Sequence, residues 1–206
     1  MMDAKICGIK DSETLNYIIN HNHPPKFVGF ITNYPKSKRY IEYENLKKLI
    51  NLDKKKINFV SVLVDPNDTT LEKIKDLNFD YYQLYNVSPE KTSLIKEKYK
   101  IKIITALTIE NKNDVEKYKK FESISEIILF DSKGYEKSIG FDHRLLKNVS
   151  TKVNKMLAGN IRYDDKLDKY SKITDIIDIS GSLETLGEKD FTKIDKFLNT
   201  VHNINS

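Results

Sequence analysis

Residues 59–64 read Phe59-Val60-Ser61-Val62-Leu63-Val64, and the stretch Leu71 to Leu77 behind them places its apolar residues on one side of a helix. A β-branched run too short for a helix, followed by an amphipathic segment, is the pattern of a βα unit. The pattern repeats outward in both directions. Strands are predicted at Lys5 to Ile9, Phe27 to Ile31, Phe59 to Val64, Tyr81 to Leu84, Ile101 to Ala106, Glu126 to Phe130, Val153 to Leu157 and Ile176 to Ile179. Helices are predicted at Ser12 to Ile19, Tyr43 to Leu49, Leu71 to Leu77, Pro89 to Tyr99 and Lys189 to Val201, and a weaker one at Arg162 to Tyr170.

Eight strand-then-helix units without a long linker favour a closed parallel barrel over an open doubly wound sheet. The expected fold is therefore α/β, a single (β/α)8 TIM barrel occupying residues 1–206 as one domain. With 206 residues, 39% hydrophobic and 32% charged, the chain has the composition of a soluble globular protein.

No run reaches the roughly 18 apolar residues of a transmembrane helix, and Met1 to Cys7 lacks the pattern of a signal peptide. The single cysteine cannot form an intramolecular disulfide, so the expected location is cytoplasmic. A net charge of +5 raises the question of nucleic acid, but the lysines alternate with acids along helical faces, as from Glu72 to Asp76 and Glu116 to Lys120. No nucleic-acid partner is expected; the field suits a small anionic substrate. His21-Asn22-His23 has no Cys or acidic partner evident in sequence and precedes the turn signal Pro24-Pro25, so no metal site is expected there.

In a barrel of this kind the chemistry lies at the C-terminal ends of the strands. Cys7, Asp131, Asp178 and the loop bearing Arg39 all fall at or just beyond such ends. Asp131 closes the apolar run Ile127-Ile128-Leu129-Phe130, where a low dielectric favours the protonated carboxyl. The competing reading of Asp131 is a turn cap, that of Cys7 a small buried hydrophobe, and that of Arg39 a solvated loop residue.

Four blocks shift that balance: Lys5-Ile6-Cys7-Gly8, Pro35-Lys36-Ser37-Lys38-Arg39-Tyr40, Phe130-Asp131-Ser132 and Asp178-Ile179-Ser180-Gly181-Ser182-Leu183-Glu184. In order and spacing, from Lys5 to Val201, the chain resembles the phosphoribosylanthranilate isomerases of tryptophan biosynthesis. The resemblance implies a (β/α)8 fold and an Amadori rearrangement of N-(5′-phosphoribosyl)anthranilate to the 1-deoxyribulose phosphate, without metal or organic cofactor. It implies that Asp131 protonates the furanose ring oxygen, that Cys7 removes the C2′ proton, and that Arg39 grips the anthranilate carboxylate. Asp178 is expected to contact the anthranilate amine or the opened sugar. Gly159, Asn160, Ser180, Gly181 and Ser182 are the expected phosphate loops, where small residues let backbone N–H groups approach an anion. A monomer or homodimer is expected.

The sequence departs from the family at four places. Gln-Leu-His-Gly becomes Gln83-Leu84-Tyr85-Asn86, Ser-Gly-Gly becomes Ala158-Gly159-Asn160, and Ser-Ser-Gly becomes Ser180-Gly181-Ser182. The glycine-rich loop before Phe-Asp-Trp appears as Lys137-Ser138-Ile139-Gly140-Phe141-Asp142-His143. Two alternatives therefore stand beside the isomerase: another phosphosugar isomerase or epimerase, and a diverged barrel that binds a phosphorylated metabolite without turnover.

Overall fold

The structure is a computed structural model that describes residues 1–133 and 139–206. Lys137 and Ser138 of the altered loop lie outside the described residues.

Eight parallel strands close into a barrel: β1 (Asp3–Cys7), β2 (Phe27–Ile31), β3 (Asn58–Val64), β4 (Tyr81–Tyr85), β5 (Lys102–Ile109), β6 (Ile127–Ser132), β7 (Lys155–Leu157) and β8 (Ile176–Ile179). Each pairs with the next, and β1 completes the ring with β8 in the register Lys5↔Asp178. Successive side chains on a strand point to opposite faces. One set, including Phe27, Val60, Val62, Ile104, Ile127, Leu129, Met156 and Ile176, fills the barrel. The alternate set, including Ile6, Phe30, Phe59, Leu63, Tyr82, Ile103, Ile128, Phe130 and Ile177, packs beneath the outer layer. Both sides being apolar explains why these strands read as nearly continuous hydrophobic runs.

The outer layer holds α1 (Ser12–Ile19), α2 (Tyr43–Ile50), α3 (Asp68–Ile74), α4 (Pro89–Tyr99), α5 (Lys112–Glu116) and α6 (Phe191–Asn205). Their starts are chemically marked. Side chains of Asp11, Asn67, Ser88, Asn111 and Asp190 each accept a first-turn backbone N–H, satisfying donors with no intrahelical partner. Between β3 and α3, Asp65 lies in the loop at φ 39°, and Asn67 takes the cap.

The weak helix expected at Arg162 to Tyr170 is not an α-helix; only a 3-10 turn forms, at Leu167–Tyr170. Leu167, Tyr170 and Ile173 recur every third residue, a spacing that a 3-10 turn aligns, and all three are buried. The described segment between β6 and β7 likewise carries a 3-10 turn, His143–Asn148. The last strand leads into a further 3-10 turn (Gly181–Leu183) and a small antiparallel hairpin, β9 (Glu184–Thr185) with β10 (Glu188–Lys189), which occupies the beginning of the helix expected from Lys189.

Candidate active site

Cys7 and Lys5 are two apart on β1 and so face the barrel interior together. Room for the thiol comes from the neighbouring strand. Gly29 is the register partner of Cys7, and a Cβ there would stand 2.8 Å from Cys7 Sγ and 3.3 Å from Lys5 Nζ. Lys5 is wholly buried and donates to Asp178 Oδ2 at 2.7 Å, while Asp178 Oδ1 is buried with no hydrogen-bond partner. Burial alone would lower the Lys5 pKa, but the charges of Asp178 and Cys7 overcome it and hold Lys5 above its ordinary value. Cys7 moves upward because burial outweighs the opposing pull of Lys5 and Lys189.

Across the barrel, Asp131 near the end of β6 accepts a hydrogen bond from Tyr85 Oη at 2.8 Å, through Oδ2. Gln83, two residues before Tyr85 on β4, donates from Nε2 to Tyr85 Oη at 3.3 Å. Burial pushes Asp131 up to about 6, with the Asp178 charge adding to the rise; the hydrogen bonds from Tyr85 and Ser132 and the charge of Lys5 oppose it. A carboxyl in this range can hold and release a proton near neutrality.

Arg39 reaches the site by a folded loop. Ser37 N–H donates to Tyr34 O, Tyr40 N–H to Ser37 O, and Ile41 N–H to Ile31 O, turning the chain after β2 back toward its strand end. The side chain then lies over two glycines. A Cβ at Gly8, where φ is +80°, would meet Arg39 Cδ at 2.5 Å, and one at Gly181 would meet Arg39 Nη2 at 2.9 Å. The fork expected to be open for a substrate carboxylate is engaged along one edge by an internal one: Nε and Nη2 donate to Glu184 Oε1 and Oε2 at 2.5 and 2.9 Å. Lys189, almost fully buried, donates to the same Glu184 Oε1 at 2.8 Å and to Ser180 O at 3.1 Å. Burial raises Glu184, but hydrogen bonds from Arg39 and Lys189 more than reverse this and leave it below its ordinary value.

The five residues expected to form the phosphate loops lie after the adjacent strands β7 and β8. Gly159 and Asn160 are both left-handed, at φ +88° and 54°. Gly159 passes so close to β6 that a Cβ would stand 2.7 Å from Ser132 N, and the Asn160 side chain packs against Gly140. Tyr163 N–H donates to Ser182 Oγ at 3.1 Å, joining the two loops. Gly181 and Ser182 open a 3-10 turn, where amides have no acceptor within the turn. The hydroxyl of Ser180 is committed elsewhere, donating to Cys7 O at 2.8 Å.

Sequence reading named Cys7, Arg39, Asp131, Asp178 and both loops, with Lys5 only as a charge near Cys7 in sequence, and it gave no site role to Tyr85, Gln83, Glu184 or Lys189. Lys5 had a usable signal, a charge inside a core strand on the same face as Cys7. Tyr85 was visible only as a departure. Among the described residues no group of three His, Cys, Asp or Glu side chains could hold a metal ion. His21 instead pairs with Asp195, and His23 stacks on His202.

Comparison with known proteins identifies the family. The family model described as N-(5′-phosphoribosyl)anthranilate (PRA) isomerase matches residues 4–200. The N-(5′-phosphoribosyl)anthranilate isomerase of Thermoanaerobacter pseudethanolicus is 32% identical over 209 residues, covering 99% of this chain and 100% of that protein. The crystal structure of phosphoribosyl anthranilate isomerase from Thermotoga maritima aligns with a TM-score of 0.87 at 25% identity, over 98% of this chain and 100% of that one. A crystal structure of phosphoribosyl anthranilate isomerase in complex with reduced 1-(o-carboxyphenylamino)-1-deoxyribulose 5-phosphate shares the fold with a TM-score of 0.85 at 24% identity, over the same shares of the two chains.

Proposed function

Because the chain belongs to the N-(5′-phosphoribosyl)anthranilate isomerase family and is an isomerase of tryptophan biosynthesis, we propose that Asp131 is its general acid and Cys7 its general base. The observation that carries this reading is the Asp131 carboxyl, half-buried at the catalytic end of the barrel, held by Tyr85 Oη at 2.8 Å and pushed up to about 6. It combines the two properties the first step needs, a proton to give and a position at the rim.

In that step Asp131 gives its proton to the furanose ring oxygen as the C1′–O bond breaks, and the anthranilate nitrogen lone pair forms the C1′=N bond of a Schiff base. Cys7, as thiolate, then takes the C2′ proton, and the C–H electrons form C1′=C2′ as the C1′=N electrons return to nitrogen. The enol-amine tautomerises to the ketone. The ammonium of Lys5, which lies near Cys7 and acts on it directly, favours the thiolate.

The remaining residues bind. Asp178 Oδ1, buried without a partner, fits an acceptor for the anthranilate N–H. With the Nε side of Arg39 on Glu184, the Nη1–Nη2 edge is the one offered to the anthranilate carboxylate. The amides around Gly159, Asn160, Gly181 and Ser182 suit the phosphate, with the Ser182 hydroxyl beside them and Ser180 supporting the strand end. The partner in this reading is a small phosphorylated metabolite rather than nucleic acid, and residues 1–206 act as one cytoplasmic domain, monomeric or homodimeric. No helix among the described residues is long and apolar enough to cross a membrane.

The test is turnover of N-(5′-phosphoribosyl)anthranilate by purified protein in EDTA, followed by loss of substrate fluorescence. Cys7→Ala and Asp131→Asn are each expected to lower kcat by about 10²- to 10⁴-fold. A variant that keeps wild-type activity removes its residue from the assigned role.

A further inference from the structure

The Tyr85 phenol stands where this chain departs from its family's sequence, and its single proton has a defined direction. Gln83 Nε2 donates to Tyr85 Oη at 3.3 Å, and Tyr85 Oη donates to Asp131 Oδ2 at 2.8 Å. A phenol has one hydrogen to give, so with Gln83 as donor behind it that hydrogen points at the carboxyl. Oδ2 is then an acceptor, and a proton carried by Asp131 belongs on Oδ1.

We propose that Tyr85 is the positioning residue of the acid: it confines the transferable proton to Asp131 Oδ1 and stabilises the carboxylate left when that proton has passed to the ring oxygen. This rests on Asp131 being the acid. The step balances without a further reactant: the Oδ1–H bond breaks, the ring O–H bond forms, and the new carboxylate keeps the Tyr85 hydrogen bond it already had. Tyr85 itself does not titrate in the working range, because burial and the neighbouring Asp131 charge hold it well above 10.

Among the described residues, the ionisable side chains that act most on Asp131 are Tyr85 from β4, Asp178 from β8 and Lys5 from β1. Cys7 from β1 acts on Tyr85, and Lys189 of β10 on Asp178. Of these, Tyr85 alone both touches Asp131 and can be changed without altering a charge. Since Asp131 titrates near 6 and Cys7 above its ordinary 9.0, the acidic limb of the kcat/KM profile reports Asp131 and the alkaline limb reports the thiol.

The experiment compares pH profiles of wild type and Tyr85→Phe on N-(5′-phosphoribosyl)anthranilate. The substrate phosphate titrates identically for both proteins and drops out of the difference. Losing a hydrogen bond to the ionised form moves the acidic limb to higher pH, by about one pH unit. Site-specific 3-fluorotyrosine at position 85, nearly isosteric and a stronger donor, moves it to lower pH, and keeps the test decisive if Tyr85→Phe does not fold. An acidic limb that stays in place, whatever happens to kcat, overturns the positioning role. Failure of the acid assignment itself would read differently, as activity retained in Asp131→Asn.

Discussion

At the scale of single residues, the site spends stability on chemistry. Asp131 has an ordinary carboxyl pKa of 3.8 and titrates near 6 in the folded barrel. As pH rises from the lower value to the higher one, the unfolded chain gives up its proton while the folded chain keeps it, so folding becomes less favourable. Below the unfolded value the penalty is absent, and above the folded value it is complete. Asp131→Asn keeps the size and can still accept from Tyr85, and it is expected to be more stable than wild type by about 1–3 kcal/mol near about pH 8, with no gain near about pH 4. Urea midpoints at the two pH values measure this; an equal difference at both would show that ionisation is not the cause. The Lys5–Asp178 pair works differently, because removing either partner would strand a charge inside the barrel. Cys7 and Asp131 stood out in the sequence as candidates through their short blocks. Tyr85 did not, because nothing in the order Gln83-Leu84-Tyr85 reveals a contact with a carboxyl 46 positions away.

At the scale of elements, helix starts were readable where a capping side chain stands next to an amphipathic run, as at Asp11 and Ser88, but not at the last helix, where the hairpin strand takes Lys189 and Asp190 caps a start two residues later than expected. The reading failed where apolar residues recur only every third position, so that the outer layer after β7 is a 3-10 turn instead of a helix. The loops after β7 and β8 are fixed by close approach. Gly159 has φ +88°, and a side chain there would press on the backbone of Ser132, which cannot swing aside as a long side chain could. Gly159→Ala is therefore expected to cost about 1–3 kcal/mol of stability and, by shifting a loop proposed to hold the phosphate, to raise KM more than it lowers kcat. Chemical denaturation and steady-state kinetics check both parts, and an unchanged KM would separate the loop from phosphate binding.

At the scale of the molecule, closure of the ring puts residues distant in sequence onto one rim, and α6 packs on β1, one of the two strands that close it. Phe197 of α6 is fully buried, and Asn205 at its end accepts from Met2 N and donates to Met2 O at 2.7 and 2.8 Å. Phe197→Ala leaves a cavity in the core that α6 covers and is expected to cost about 3–5 kcal/mol while the barrel still unfolds in one transition, as read by calorimetry. A separate early transition would mean that α6 melts by itself. The sequence by itself determined the succession of the eight strands and most of the helices between them, and singled out the residues proposed as acid, base and phosphate loops, because periodicity and short blocks are local properties of the chain. Only the tertiary structure decided that Lys5 meets Asp178, that Glu184 holds Arg39 and that Tyr85 holds Asp131, across sequence separations of 173, 145 and 46. Those pairings follow from the register in which eight twisted strands close on one another, and that register is set by how all their side chains pack together in the interior rather than by any one segment.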